Sequence, residues 1–176
     1  MRAALLSALF AFALVALGLT PATARAQPKP GPEHEMLKKF EGDWNATVAF
    51  GGGESKGTAS YKRGLGGFWL QLHFKGEFGG GTFEGRGLTG YDPHKKKYVS
   101  TWADSVAPHL MVMEGSFAAD GKTFTETGEG MGPDAKLQKL KSVYEFKDKD
   151  TIVFTMYKVA DGKDEQMMQI TYKRKK

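Results

Sequence analysis

From Trp44 onward, apolar and polar positions alternate with a period of two. Trp44, Ala46, Val48 and Phe50 alternate with Asn45, Thr47 and Ala49, and Phe68, Leu70, Leu72 and Phe74 with Trp69, Gln71, His73 and Lys75. Tyr98, Ser100, Trp102 and Asp104 alternate with Val99, Thr101 and Ala103. The same pattern returns at Ile152, Phe154 and Met156 and at Met168, Ile170 and Tyr172. A two-residue period puts successive side chains on opposite faces of an extended chain, one face drier than the other. Turn signals separate the runs: Gly51-Gly52-Gly53, Gly79-Gly80-Gly81, Asp92-Pro93, Asp120-Gly121, Asp148-Lys149-Asp150 and Asp161-Gly162. The pattern predicts about ten strands, at 43–50, 56–63, 67–76, 82–91, 96–104, 109–117, 122–129, 140–147, 151–158 and 165–174.

The connections are too short for crossover helices, except between Gly130 and Leu140, so consecutive strands are antiparallel. Left flat, such a sheet exposes two edges; closing it into an up-and-down barrel removes both. Gly85, Gly87 and Gly90 within one strand permit the coiling that closure needs. A barrel of this size leaves an interior space unless large side chains fill it. With 12 Phe, 8 Met, 6 Tyr and 3 Trp in the chain, a partly filled cavity is expected. Several strands carry apolar residues on both faces, so alternation alone leaves open which face points inward.

The start of the chain is of a different kind. Arg2 is followed by an apolar stretch from Ala3 to Leu19, then by Pro21 and the small-residue pattern Ala24-Arg25-Ala26. This is the layout of a secretory signal peptide, with cleavage expected after Ala26 and no stable membrane anchor afterwards. Residues 27–32, rich in proline, form a stiff linker, and residues 33–176 the barrel domain. Pro32 suits the first position of a short helix, Glu33 and Glu35 favour its N-terminus, and Gly42 ends it. Secretion or a periplasmic location follows as an expectation.

Composition narrows the chemistry. The chain has 176 residues and no cysteine, which excludes disulfides, thiolate metal sites and a Cys nucleophile. Cleavage would leave 150 residues, enough for one full core without covalent staples. Removing Arg2 and Arg25 takes the formal charge from +5 to +3. The clusters Lys95-Lys96-Lys97 and Lys173-Arg174-Lys175-Lys176 are short and read as solvated charge, and no nucleic-acid partner is expected.

The face most able to carry chemistry is Tyr98, Ser100, Trp102 and Asp104, where aromatic, hydroxyl and carboxylate groups project to one side. In a cavity they would supply an apolar wall with orienting polar groups, and Met111 and Met113 on the next strand an adaptable surface. The opposite reading puts Val99 and Thr101 inside. His109 follows Pro108 near the end of the strand carrying Asp104, where a hairpin would bring acid and base to the rim. His34, His73, His94 and His109 have no metal-pair spacing, and no metal or cofactor is expected.

Gly53-Glu54-Ser55-Lys56-Gly57 fits the nucleophile-elbow pattern but lies in a hairpin with no following helix. Gly85-Arg86-Gly87-Leu88-Thr89-Gly90 fits a dinucleotide fingerprint but sits inside a strand. Asn45-Ala46-Thr47 matches a glycosylation sequon within a strand. None of these assigns a catalytic residue.

Glu41-Gly42-Asp43-Trp44 places G-x-W where a short helix meets the first strand. This resembles the opening of lipocalin-like (calycin) barrels. The resemblance implies a Trp packed across the barrel floor beneath a basic residue from the chain end, here Arg174 or, second, Lys173. A longer resemblance, over residues 33–174, is to the bacterial family called domain of unknown function 1579. It rests on Gly64-Leu65-Gly66-Gly67-Phe68-Trp69, Phe83-Glu84-Gly85-Arg86-Gly87-Leu88-Thr89-Gly90-Tyr91-Asp92, Lys96-Lys97-Tyr98-Val99-Ser100-Thr101-Trp102-Ala103-Asp104-Ser105 and Met111-Val112-Met113-Glu114-Gly115. It implies a lipocalin-like barrel with no agreed activity. Ten-stranded nitrobindin-type barrels are a more distant resemblance; they bind haem through a late His, and this chain has none after His109. The expected function is binding of a small apolar ligand inside the barrel. The rivals are a filled barrel serving as a structural or interaction module, and an enzyme using barrel carboxylates such as Asp104 or Glu114.

Overall fold

The computed structural model describes residues 28–132 and 136–176. The predicted signal segment and its cleavage site lie outside the described residues. The described chain opens with α1 (Pro32–Met36), continued by a 3-10 turn at Leu37–Lys39. Ten strands follow: β1 (Gly42–Phe50), β2 (Gly53–Gly64), β3 (Trp69–Phe78), β4 (Gly81–Asp92), β5 (Lys97–Asp104), β6 (Met111–Phe117), β7 (Thr123–Met131), β8 (Leu137–Asp148), β9 (Thr151–Ala160) and β10 (Lys163–Arg174). Each pairs antiparallel with its neighbours in sequence, and β1 pairs with β10, closing the barrel. No crossover helix stands between β7 and β8 among the described residues, because Met131 already pairs with Leu137.

Strand ends differ from the sequence pattern where glycine sets the turn. Gly51 and Gly52 take φ of 59° and 80°, so the chain reverses in two residues and the ladder runs to Phe50 opposite Gly53. β2 therefore starts three residues earlier than expected. β3 starts later than expected because Leu65–Gly67 form a 3-10 turn.

One end of the barrel is closed. Leu37 and Phe40, from the helical segment, are buried against the lower ends of the strands. Phe40 stacks on Tyr61 at 5.5 Å and meets Phe124, Tyr144 and Phe146 edge-on. Tyr98 meets Phe117 and Phe124 in the same manner. Among the described residues this aromatic floor closes one end of the barrel.

Trp44 anchors the floor to the closing seam. It is fully buried, and its Nε1 donates to the Phe40 carbonyl at 2.8 Å. Trp44 is opposite Arg174 in the β1–β10 register, and the guanidinium carbon lies 4.0 Å from the indole centroid. The same guanidinium donates to the carbonyls of Glu41 at 2.6 Å and Lys149 at 3.0 Å. Gly42, at φ 122°, leaves room for it: a Cβ there would lie 2.4 Å from Arg174 Nη1. Lys173, one residue away, instead donates to Thr151 Oγ1.

Arg174→Ala removes a cation–π contact and leaves two floor carbonyls without their charged donor. It should lower unfolding free energy by about 2–3 kcal/mol in urea titration, with Arg174→Lys recovering less than half. A loss below about 0.5 kcal/mol would show that the seam does not rely on this residue.

Candidate functional site

Above the floor the barrel interior is open, with a cavity of about 340 Å³. Its middle is walled by apolar side chains, among them Leu70, Leu72, Phe74, Met113, Phe154 and Met156. Its mouth carries Phe50, Phe78, Val106 and Met131, all substantially exposed. An apolar well with an apolar lip suits a solute that sheds its water on entry.

The face singled out on β5 points inward at this cavity. Ser100, Trp102 and Asp104 line it, with His109, Met111 and Met113 from the following segment. Tyr98, the first member of that face, lies below the cavity in the floor, where its hydroxyl donates to the Glu33 carbonyl at 2.7 Å. Burial pushes its phenol up to about 12. Trp102 needs glycine on the neighbouring strand: its indole leans over Gly85, which is opposite Asp104, and a Cβ there would lie 2.1 Å from the indole Cζ2. The indole also stacks on Phe83.

Asp104 is tied into the fold. One oxygen accepts from Trp102 Nε1 at 2.9 Å, the other from the amides of Val106 and Ala107. It orders the loop between β5 and β6, in the manner of an Asx turn. No hydrogen bond joins it to His109 among the described residues, and His109 stands at the mouth. Glu114 lies on the outer surface, paired with Lys95 and, at 3.5 Å, Lys97. The Lys95 ammonium holds the Glu114 carboxyl below the usual range. No group of three potential metal ligands occurs among the described residues.

The buried carboxylate of the interior is one that sequence reasoning passed over, Glu126 on β7. It is 3% exposed and lines the cavity just above the floor. Its neighbour across β8 is Ser142 and across β6 is Gly115. Ser142 Oγ donates to Oε2 at 3.4 Å, while Oε1 is buried with no hydrogen-bond partner among the described residues. Gly115 makes the space: a Cβ there would meet the Glu126 Cγ at 2.7 Å. Burial pushes the carboxyl up to about 7, and the hydroxyls of Ser100 and Ser142 pull the other way more weakly. Its charge in turn helps to raise the phenols of Tyr61 and Tyr144, where burial is the larger cause. A signal was present in the sequence. Phe124 and Glu126 are two apart in one strand, so an inward Phe124 requires an inward Glu126.

Between pH 4.5, the ordinary value, and about 7 the folded protein holds a proton that the unfolded chain has released. This carboxyl's contribution to stability is therefore full below pH 4.5 and is lost as pH rises to about 7, by on the order of 3 kcal/mol. Tyr61, Tyr144 and Tyr172, the buried ionisable groups around it, all have phenols raised by burial and stay neutral across this window. The Glu126→Gln variant should gain stability relative to the parent protein over that interval, measured by urea unfolding at a series of pH values. Parallel pH curves for the two proteins would refute the assignment.

The family model for proteins of unknown function 1579 (DUF1579) matches residues 29–174. No curated protein matches the sequence. Among solved structures, Rv2717c from M. tuberculosis superposes with a TM-score of 0.58 at 14% identity, covering 83% of this chain and 99% of that one. The S-type phycobiliprotein lyase CPES from Guillardia theta superposes at 0.53 with 13% identity, covering 84% of this chain and 99% of its own. At these identities the likeness is one of fold.

Proposed function

The chain belongs to the family of proteins of unknown function 1579, and from that premise we propose that it is an exported barrel that holds one small, largely apolar molecule in its interior. The observation that carries this reading is the cavity of about 340 Å³, closed below by aromatic rings and bordered above by exposed Phe50, Phe78, Val106 and Met131. A barrel acting only as a scaffold has no need of such a space, since each unfilled volume costs packing contacts. Methionines at 111, 113, 156 and 168 give the wall side chains that adapt to an occupant's shape. Export rests on residues 1–26 alone, and N-terminal sequencing of the protein from its own host is expected to begin at Gln27.

Catalysis is the second reading, and Glu126 is the observation in its favour. A carboxyl that titrates near 7 in an apolar cavity has the proton affinity of a general acid or base. One barrel of this fold is named a lyase. Ser100 and Ser142 beside it are the available hydroxyls, and among the described residues no Lys lines the cavity and its one His, His109, stands at the mouth.

Native mass spectrometry of the protein purified from its host, followed by denaturing extraction, tests the binding reading. A small molecule released on denaturation is the expected result. The variant Leu72→Trp fills the middle of the cavity and should reduce the co-purified molecule at least tenfold while leaving the fold intact by circular dichroism. Protein that is reproducibly empty, and that gains no thermal stability from apolar compounds, would overturn this reading in favour of a structural or interaction module.

A further inference from the structure

The cavity lining carries an uneven set of charges. Glu77 and Asp104 stand near the mouth and Glu126 near the floor, whereas no Lys or Arg lines the cavity among the described residues. Among the described residues His109, at the mouth, is the one imidazole in the lining. Asp104 is engaged on both oxygens by Trp102 and the loop amides. Glu77 is exposed to solvent. Glu126 differs from both, because it is buried and its Oε1 has no hydrogen-bond partner among the described residues. Around it are the hydroxyls of Ser100 and Ser142, the backbone of Gly115, against which its own side chain packs, and apolar walls.

A buried carboxyl oxygen with no donor is costly, and the cost is removed when a donor arrives with an occupant. An anionic head group is the wrong complement. It would leave water for a space that holds a carboxyl and no cation to receive it. A wholly apolar molecule fits the walls but leaves Oε1 as it was. A molecule with an apolar body and one terminal N–H or O–H fits both.

Resting on the binding reading above, we propose that Glu126 is the polar anchor of the cavity, and that the barrel takes an apolar molecule ending in a hydrogen-bond donor, an amine or a hydroxyl, in preference to the corresponding carboxylic acid. The preference runs against the overall charge of the chain, which is +5 and by itself favours an anion. A selection for the amine therefore has a local origin. The anchor's depth also sets the order of entry: the donor goes in first, and the apolar tail is left against the methionines and the exposed lip.

The test uses pyrene, which has no polar group, as a fluorescent reference occupant, displaced in turn by decylamine, decan-1-ol and decanoate at pH 8. In the parent protein decylamine and decan-1-ol are expected to bind at least ten times more tightly than decanoate. In Glu126→Gln, the amine-to-acid ratio is expected to fall to about threefold or less while pyrene binding is kept. Glu126→Asp, which retains the charge, should keep the order of preference. Equal or tighter binding of decanoate by the parent protein overturns the proposal, as does an unchanged ratio in Glu126→Gln. If the Gln variant does not hold pyrene, the ranking in the parent protein decides the matter. Failure of pyrene and all three ten-carbon compounds to bind the parent protein counts instead against the binding reading itself.

Discussion

The structure depends first on β1 meeting β10. An open ten-stranded meander has two rows of unpaired backbone N–H and C=O groups, and here the terminal strands satisfy each other in register from Trp44 opposite Arg174 to Phe50 opposite Met168. Closure also creates the interior. Once the sheet is a barrel, every second side chain of every strand shares one enclosed volume, and whatever those side chains do not fill is available to a solute. The seam is reinforced where it begins. Arg174 covers Trp44, reaches the carbonyl of Glu41, and so ties the last strand to the helical segment that closes the floor.

The interior is graded from floor to mouth. At the floor, aromatic rings from seven strands and from Phe40 pack against one another, some edge-on and some stacked. In the middle, Leu and Met side chains border the open space. Gly128 and Gly130 lie on the inner face above Glu126, and the Met113 and Leu140 side chains close on them. At the mouth, large apolar residues stand in solvent. Most globular surfaces scatter such residues singly; here four of them border one opening.

Glu126 shows how a single polar residue changes the meaning of an apolar cavity. Its proton affinity, its unpaired oxygen and its position beside Ser142 all come from burial at one point on the inner face. The same carboxyl on the outer face, as Glu114 is, pairs with lysines and titrates below the usual range. Two glutamates one strand apart thus have opposite electrostatic fates, decided by which side of the sheet each occupies.

The period of two, the glycine pairs at the turns and the shortness of the connections were enough to determine an antiparallel meander of ten strands, and the need to remove edges was enough to close it. G-x-W and a basic residue near the chain end pointed to the pairing of Trp44 with Arg174. Ser100, Trp102, Asp104, His109, Met111 and Met113 were legible as one group because alternation and a single hairpin relate them. Tyr98 belongs to the same alternation, yet only the tertiary structure could place it in the floor, since depth along the barrel depends on where the helical segment plugs it. The role of Asp104 in ordering a loop, and the inward position of Glu126 beside Ser142 and Gly115, were likewise decided by closure. Local alternation says that two residues share a face; which face becomes the interior, and what stands across it, is settled only when all ten strands are in register.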